Sequence, residues 1–180
     1  NAMKARVGEA EQEIVRLQNE LTETSELVRH DQLTGALNRK GLEEALDREL
    51  ARSQRRKTPI CVALLDVDNF KMLNDTYGHQ TGDEALIHLA RVIRETMRPH
   101  DTLVRYGGEE FLIILPDTPL PDAVSALTRL QRELTKRFFL HQNEKLLITF
   151  SAGVTAFHAN ESRNETISRA DAAMYQAKKS

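Results

Sequence analysis

Two stretches of this sequence are apolar at almost every position, and they restrict its fold more than any other feature. In "PICVALLDVD", residues 59–68, an unbroken apolar run follows a proline and closes on acids. A strand with one wet face alternates, so a run this uniform reads as a central strand buried on both faces. In "TLVRYGGEEFLIILP", residues 102–116, two glycines separate a short apolar arm from a second uniformly apolar one. That pattern predicts a β-hairpin with its second arm also buried. A sheet hidden on both sides needs helical covers, and helical periodicity stands on either side of these runs.

Asn38 is the expected N-cap of a helix reaching about Ser53, with Leu42, Ala45, Leu46 and Leu50 on its inner face. The cations of "RSQRRK" suit its C-terminus. A short helix, "NFKMLNDTYG", precedes a longer one from about Thr81 to Met97, which buries Leu86, Ala90, Ile93 and Met97. Pro121 opens a further helix with Ala123, Leu127, Leu130 and Leu134 inward. "KLLITFSAGVTAF" supplies one or two strands and "ETISRADAAMYQAKKS" a last helix. The expected class is α/β: a mixed, mostly buried central sheet flanked by helices, with one β-hairpin carrying a signature.

Residues 8–30 precede this unit and differ from it. Ala10, Ile14, Leu17, Leu21, Thr24 and Val28 recur in steps of four and three within a charged, proline-free stretch. This is the spacing of a coiled-coil seam, although a helix packed on its own domain can carry it too. The expected division is residues 1–30 as a signalling and dimerisation helix and 31–180 as the globular domain, with residues 1–3 derived in part from an expression tag. The net charge of −2 provides no general field for nucleic acid or anionic lipid. No apolar segment approaches the ~20 residues that cross a bilayer. A cytoplasmic domain is expected, with any membrane anchor lying upstream. The single cysteine, Cys61, falls inside the apolar run and reads as a buried hydrophobe.

The acids carry the chemistry. Asp66 and Asp68 point the same way at the carboxyl end of a strand, where open α/β sheets place ligands. The Val67 carbonyl lies between them, and carboxylate and backbone oxygens are what hard divalent cations prefer. With the hairpin beside this strand, Glu109 would complete the set. A turn needing positive φ explains Gly107 and Gly108 but leaves both Glu109 and Glu110 unexplained. A cation bound together with phosphates explains them. The segment that begins a helix at Asp68–Lys71 would aim the amides of Asn69, Phe70 and Lys71 at such phosphates.

"RYGGEEF" resembles the signature of GGDEF-domain diguanylate cyclases, in the variant with Glu third. "DQLTGALNR" resembles that family's opening motif, "DVDNFKMLNDTYGHQTGDEAL" its substrate segment and "ADAAMYQAK" its closing helix, so the likeness covers about residues 31–180. It implies condensation of two GTP into cyclic di-GMP and two pyrophosphates, one GTP per domain, hence a homodimer driven by an upstream sensor. The implied cofactor is Mg²⁺, with Mn²⁺ able to substitute, held by Asp66, Val67 and Glu109. Glu109 matches the position usually assigned as acceptor of the 3′-hydroxyl proton; direct acidification of that hydroxyl by the cation is the other route, and both stay open. Glu110 matches the next signature position, as a direct participant or an outward carboxylate. Gly107 and Gly108 would let the backbone approach the nucleotide with no Cβ in the way, although a hairpin turn alone accounts for them too. Asn74 and Asp83 match guanine contacts, since a carboxylate accepts from N1–H and the 2-amino group together. His79 matches a further substrate position, and Lys71 and Lys178 match phosphate-binding lysines.

Two features bear on regulation and completeness. "RPHD" stands five residues before Gly107, the spacing of the family's RxxD inhibitory site, where Arg98 would fork onto the cyclic product and Asp101 meet its base edge. The family continues past the lysine into a "GRN" segment, whereas this sequence stops at Ser180 and reads as truncated there. The alternative function is a catalytically silent domain that senses GTP or cyclic di-GMP. The intact "GGEEF", Asp66, Asn74 and Asp83 separate the two, because silent relatives usually lose one of them.

Overall fold

The computed structural model describes residues 2–179, apart from the side chains of residues 2 and 25–27; residues 1 and 180, the outermost ends of the two expected segments, lie outside the described residues. Helix α1 (Ala2–Arg29) leads into α2 (Arg39–Arg56), β1 (Ile60–Val67), α3 (Phe70–Tyr77) and α4 (His79–Thr96). The hairpin strands β2 (Thr102–Arg105) and β3 (Glu110–Pro116) follow, then α5 (Leu120–Lys136). A small hairpin of β4 (Phe139–His141) and β5 (Glu144–Leu146), strand β6 (Phe150–Ala156) and helix α6 (Arg163–Lys179) complete the chain. The α/β class and the helix-flanked sheet are as expected.

The central sheet has the order β2-β3-β1-β6, and all its strand pairings are antiparallel. The expectation of a mixed sheet is corrected here. Two βαβ crossovers, β1 to β2 and β3 to β6, are interleaved, so each pair of parallel strands is separated by a strand of opposite direction. Parallel pairing survives among the described residues only in the isolated bridge between Leu37 and Val104. Strand β1 is buried along its whole length, as is β3 from Phe111 to Pro116. Helices α4 and α5 cover one face through Leu89, Ile93, Leu130 and Leu134. Helices α2 and α6 cover the other through Leu42, Leu46, Ile167 and Met174.

Asn38 caps α2 as expected, its side chain accepting from the Gly41 N–H at 3.0 Å. The helix runs three residues beyond Ser53 because Lys57, with φ 56°, donates its N–H back to the Ser53 carbonyl. The α1 seam residues Ala10, Ile14, Leu17, Leu21, Thr24 and Val28 are all exposed; Leu21 is 71% accessible, so nothing among the described residues covers the stripe. No described helix is long and apolar enough to cross a membrane.

Candidate functional site

The site forms where β1 ends beside the tip of the β2–β3 hairpin. Asp66 stands opposite Glu110 on one side and Ser151 on the other. The Val67 N–H donates to the Glu109 carbonyl at 3.1 Å, fixing the first signature acid next to the first strand acid. Asp68 is otherwise engaged: Thr149 Oγ1 and Ser151 Oγ donate to its carboxylate at 2.9 and 2.8 Å. Asp66, at 9% exposure, therefore meets Glu109 and Glu110, with Lys178 Nζ from the last turn of α6 at 3.0 Å from Oδ1.

Three carboxylates here repel one another. Burial first, then the Asp66 charge and a hydrogen bond with Asp66, hold the Glu109 carboxyl above the usual carboxylate range; Lys178 pulls it the other way. Burial also raises Glu110, with Asp66 and Asp171 adding to the effect and Arg39 and Lys178 opposing it. Such a cluster calls for positive charge beyond one ammonium. No three metal-ligating side chains among the described residues form a ready cage. The oxygen donors of Asp66, Val67 and Glu109 fit a hard divalent ion that fills its remaining positions with water and phosphate oxygens.

The hairpin tip differs from the sequence expectation. Neither Gly107 nor Gly108 has positive φ; among the described glycines only Gly35 and Gly78 do. The turn is instead closed by the N–H groups of Tyr106 and Gly107, both donating to the Glu110 carbonyl. The two glycines serve space rather than conformation. A Cβ on Gly107 would lie 2.7 Å from Glu110 Oε1, while one on Gly108 would meet nothing within 4 Å, which leaves the backbone open to an approaching ligand. Arg105 steadies this turn, donating from Nη2 to the Gly108 carbonyl at 2.7 Å and from Nη1 to both Asp31 oxygens at 3.1 and 3.3 Å.

The remaining predicted residues gather around α3 and the start of α4. Asn69 enters α3 at φ 55° with no side-chain cap on the first turn, which begins with Phe70 and Lys71. Asn74 Oδ1 is buried without a hydrogen-bond partner among the described residues. It lies over Gly82, where an added Cβ would come within 1.8 Å of it. Asn74 thus packs on the start of α4, the segment that also carries Asp83. Asp83, His79 and Lys71 are exposed.

Arg98 and Asp101 lie apart from these acids, on a cavity of about 390 Å³ below β3 and α5. Asp122, Ser125 and Arg129 of α5 line the same cavity. Arg129 was not foreseen; thirty residues separate it from Arg98, and on the sequence it is one more cation on a helix. Asp31 and Arg105 were likewise missed as a pair.

A family model described as the GGDEF domain of diguanylate cyclases matches residues 28–180. Diguanylate cyclase DgcP of Pseudomonas aeruginosa is 39% identical over 178 residues, 99% of this chain but only 26% of that protein. Among solved structures, the coiled coil and GGDEF domain of DgcB from Caulobacter crescentus, in complex with c-di-GMP, superposes with a TM-score of 0.92 at 34% identity. It covers 99% of this chain and 95% of that one. The active GGEEF domain of a diguanylate cyclase from Vibrio cholerae matches at a TM-score of 0.72 and 34% identity, covering 79% and 90% of the two chains.

Proposed function

This chain belongs to the GGDEF family of diguanylate cyclase domains, and on that premise we propose that it condenses two GTP into cyclic di-GMP, releasing two pyrophosphates. The observation that carries the reading is the convergence of Asp66, Glu109 and Glu110 beside Lys178 at the end of β1. Asp66, the Val67 carbonyl and Glu109 would hold the divalent ion, Mg²⁺ or Mn²⁺ in its place. When bound, the ion neutralises the triphosphate and the charge that develops in line during phosphoryl transfer.

The protein's own groups do the rest. The first-turn amides at Asn69–Lys71 bind β- and γ-phosphate oxygens, with Lys71 and Lys178 adding positive charge. Lys178 exchanges part of its pairing with Asp66 for phosphate. Asn74 and Asp83 read the guanine edge, and His79 flanks it; the unpartnered Asn74 Oδ1 supports this placement. Glu109, held above the usual carboxylate range, lies where a 3′-hydroxyl proton would be accepted. A single domain presents one such half-site, so two copies face each other, and the exposed α1 stripe supports residues 1–30 as the element that pairs them under an upstream sensor. Residues 31–180 form the catalytic domain.

Arg98 and Asp101, joined by Arg129 across the shared cavity, constitute the site at which product inhibits. The test is incubation with GTP and Mg²⁺ followed by chromatographic detection of the cyclic dinucleotide. GTP binding with no product would replace the enzyme by the silent sensor.

A further inference from the structure

Arg98 offers its guanidinium to three internal acceptors through one nitrogen. Nη2 donates to Asp101 Oδ1 at 3.5 Å, to the Pro116 carbonyl at 3.3 Å and, most closely, to Thr118 Oγ1. Asp101 is fixed in turn, its Oδ2 accepting from the Arg98 N–H at 3.0 Å with a side chain only 3% exposed. A guanidinium presents two-pronged faces, one formed by Nε with Nη2 and one by Nη1 with Nη2. Both use Nη2, whose two hydrogens are already committed. Arg98 is 47% exposed and so within reach of a ligand, yet it cannot fork onto a phosphate or a guanine edge without releasing these contacts.

We propose that the Thr118 hydroxyl is a latch that competes with cyclic di-GMP for Arg98 Nη2 and so sets how sensitive the protein is to its product. The inference rests on the inhibitory reading of Arg98 and Asp101 and goes beyond it, assigning the threshold to a third residue on the wall of the same cavity. Thr118 is buried, at 3% exposure, and its hydroxyl also donates to the Pro116 carbonyl at 2.8 Å, which holds the oxygen lone pairs toward Arg98. Removing the hydroxyl withdraws the closest of the three acceptors while leaving Asp101 in place. The arginine then forks onto the dinucleotide at lower cost. Thr118 is a positioning residue: its hydroxyl acts through the bond it accepts from Arg98.

The experiment titrates cyclic di-GMP calorimetrically into the whole chain, with the nucleotide site saturated by a non-hydrolysable GTP analogue. Wild type is compared with T118V, T118A, T118S and R98A. Loss of one hydrogen bond to a charged group is expected to tighten the Arg98-dependent site about tenfold in both T118V and T118A. T118S, which retains the hydroxyl, should bind as wild type does, and R98A should lose this site. Unchanged or weaker binding in both hydroxyl-less variants, with binding lost in R98A, overturns the latch and leaves the inhibitory reading standing. Wild-type binding in R98A overturns that reading and the latch with it.

Discussion

Gly153 of β6 sets how closely α6 can lie on the sheet, and replacing it by alanine tests the packing that holds Lys178 in place. A Cβ at this position would lie 2.0 Å from the Ala170 carbonyl oxygen and 2.4 Å from the Met174 nitrogen, where ordinary contact begins near 3.4 Å. Both obstacles are helix backbone, so no rotamer change relieves them. Helix α6 would have to retreat by about 1.4 Å at Ala170. That movement opens the cluster in which Ile167, Ala170 and Met174 meet Leu46, Val62 and Leu64. Overpacking of a closed core costs about 1–3 kcal/mol, and a backbone clash belongs at the upper end. At ~2–4 °C per kcal/mol for a domain of this size, Gly153→Ala should lower Tm by roughly 6–12 °C. The assay is thermal unfolding followed by far-ultraviolet circular dichroism. Gly8→Ala is the control, because a Cβ there meets nothing within 4 Å. Turnover should fall too, since Lys178 lies one helical turn past Met174. A Gly153→Ala protein melting within about 1 °C of wild type would refute the reasoning.

Glu109→Ala should lower turnover at least ~100-fold without lowering Tm, because it removes one of three mutually repelling carboxylates; measured product formation near wild type would remove Glu109 from the site. Asp83→Ser should cut the preference for GTP over ATP roughly tenfold, read from competitive nucleotide binding, and unchanged discrimination would disprove its base-reading role. Glu161 accepts from Arg169 at 2.7 Å through each oxygen, and these bonds depress its pKa to about 2 from 4.5. The stability they contribute is complete above pH 4.5 and is lost as pH falls toward 2. Glu161→Gln should flatten that part of the acid-unfolding profile, and an unchanged profile would exclude the pair as its source.

Strands β1 and β3 were legible because uniform apolarity has few other uses, and the acids at their junction because two glutamates after two glycines serve no turn. Pairing directions were not legible. A run buried on both faces carries no period-2 signal to reveal its neighbours, and interleaved crossovers leave no local mark. Strand β4 escaped notice since Phe139–His141 is too short for any period. The φ angles at Gly107 and Gly108 were not legible, because a glycine that gives a ligand clearance and one that turns the chain look alike in sequence; the structure removes only the positive-φ alternative. Asp31 with Arg105, and Arg98 with Arg129, are juxtapositions that only the folded chain creates. The matches to Asp66, Asn74 and Asp83, by contrast, lay within contiguous motifs.

The bonds of Arg105 have a mechanical consequence. One guanidinium grips the carboxylate two residues after α1 and, with its other amine, the carbonyl at the tip of the signature turn. Any torque applied along the leading rod would reach Gly108 through that one side chain. Either the turn follows the rod, or the arginine lets go.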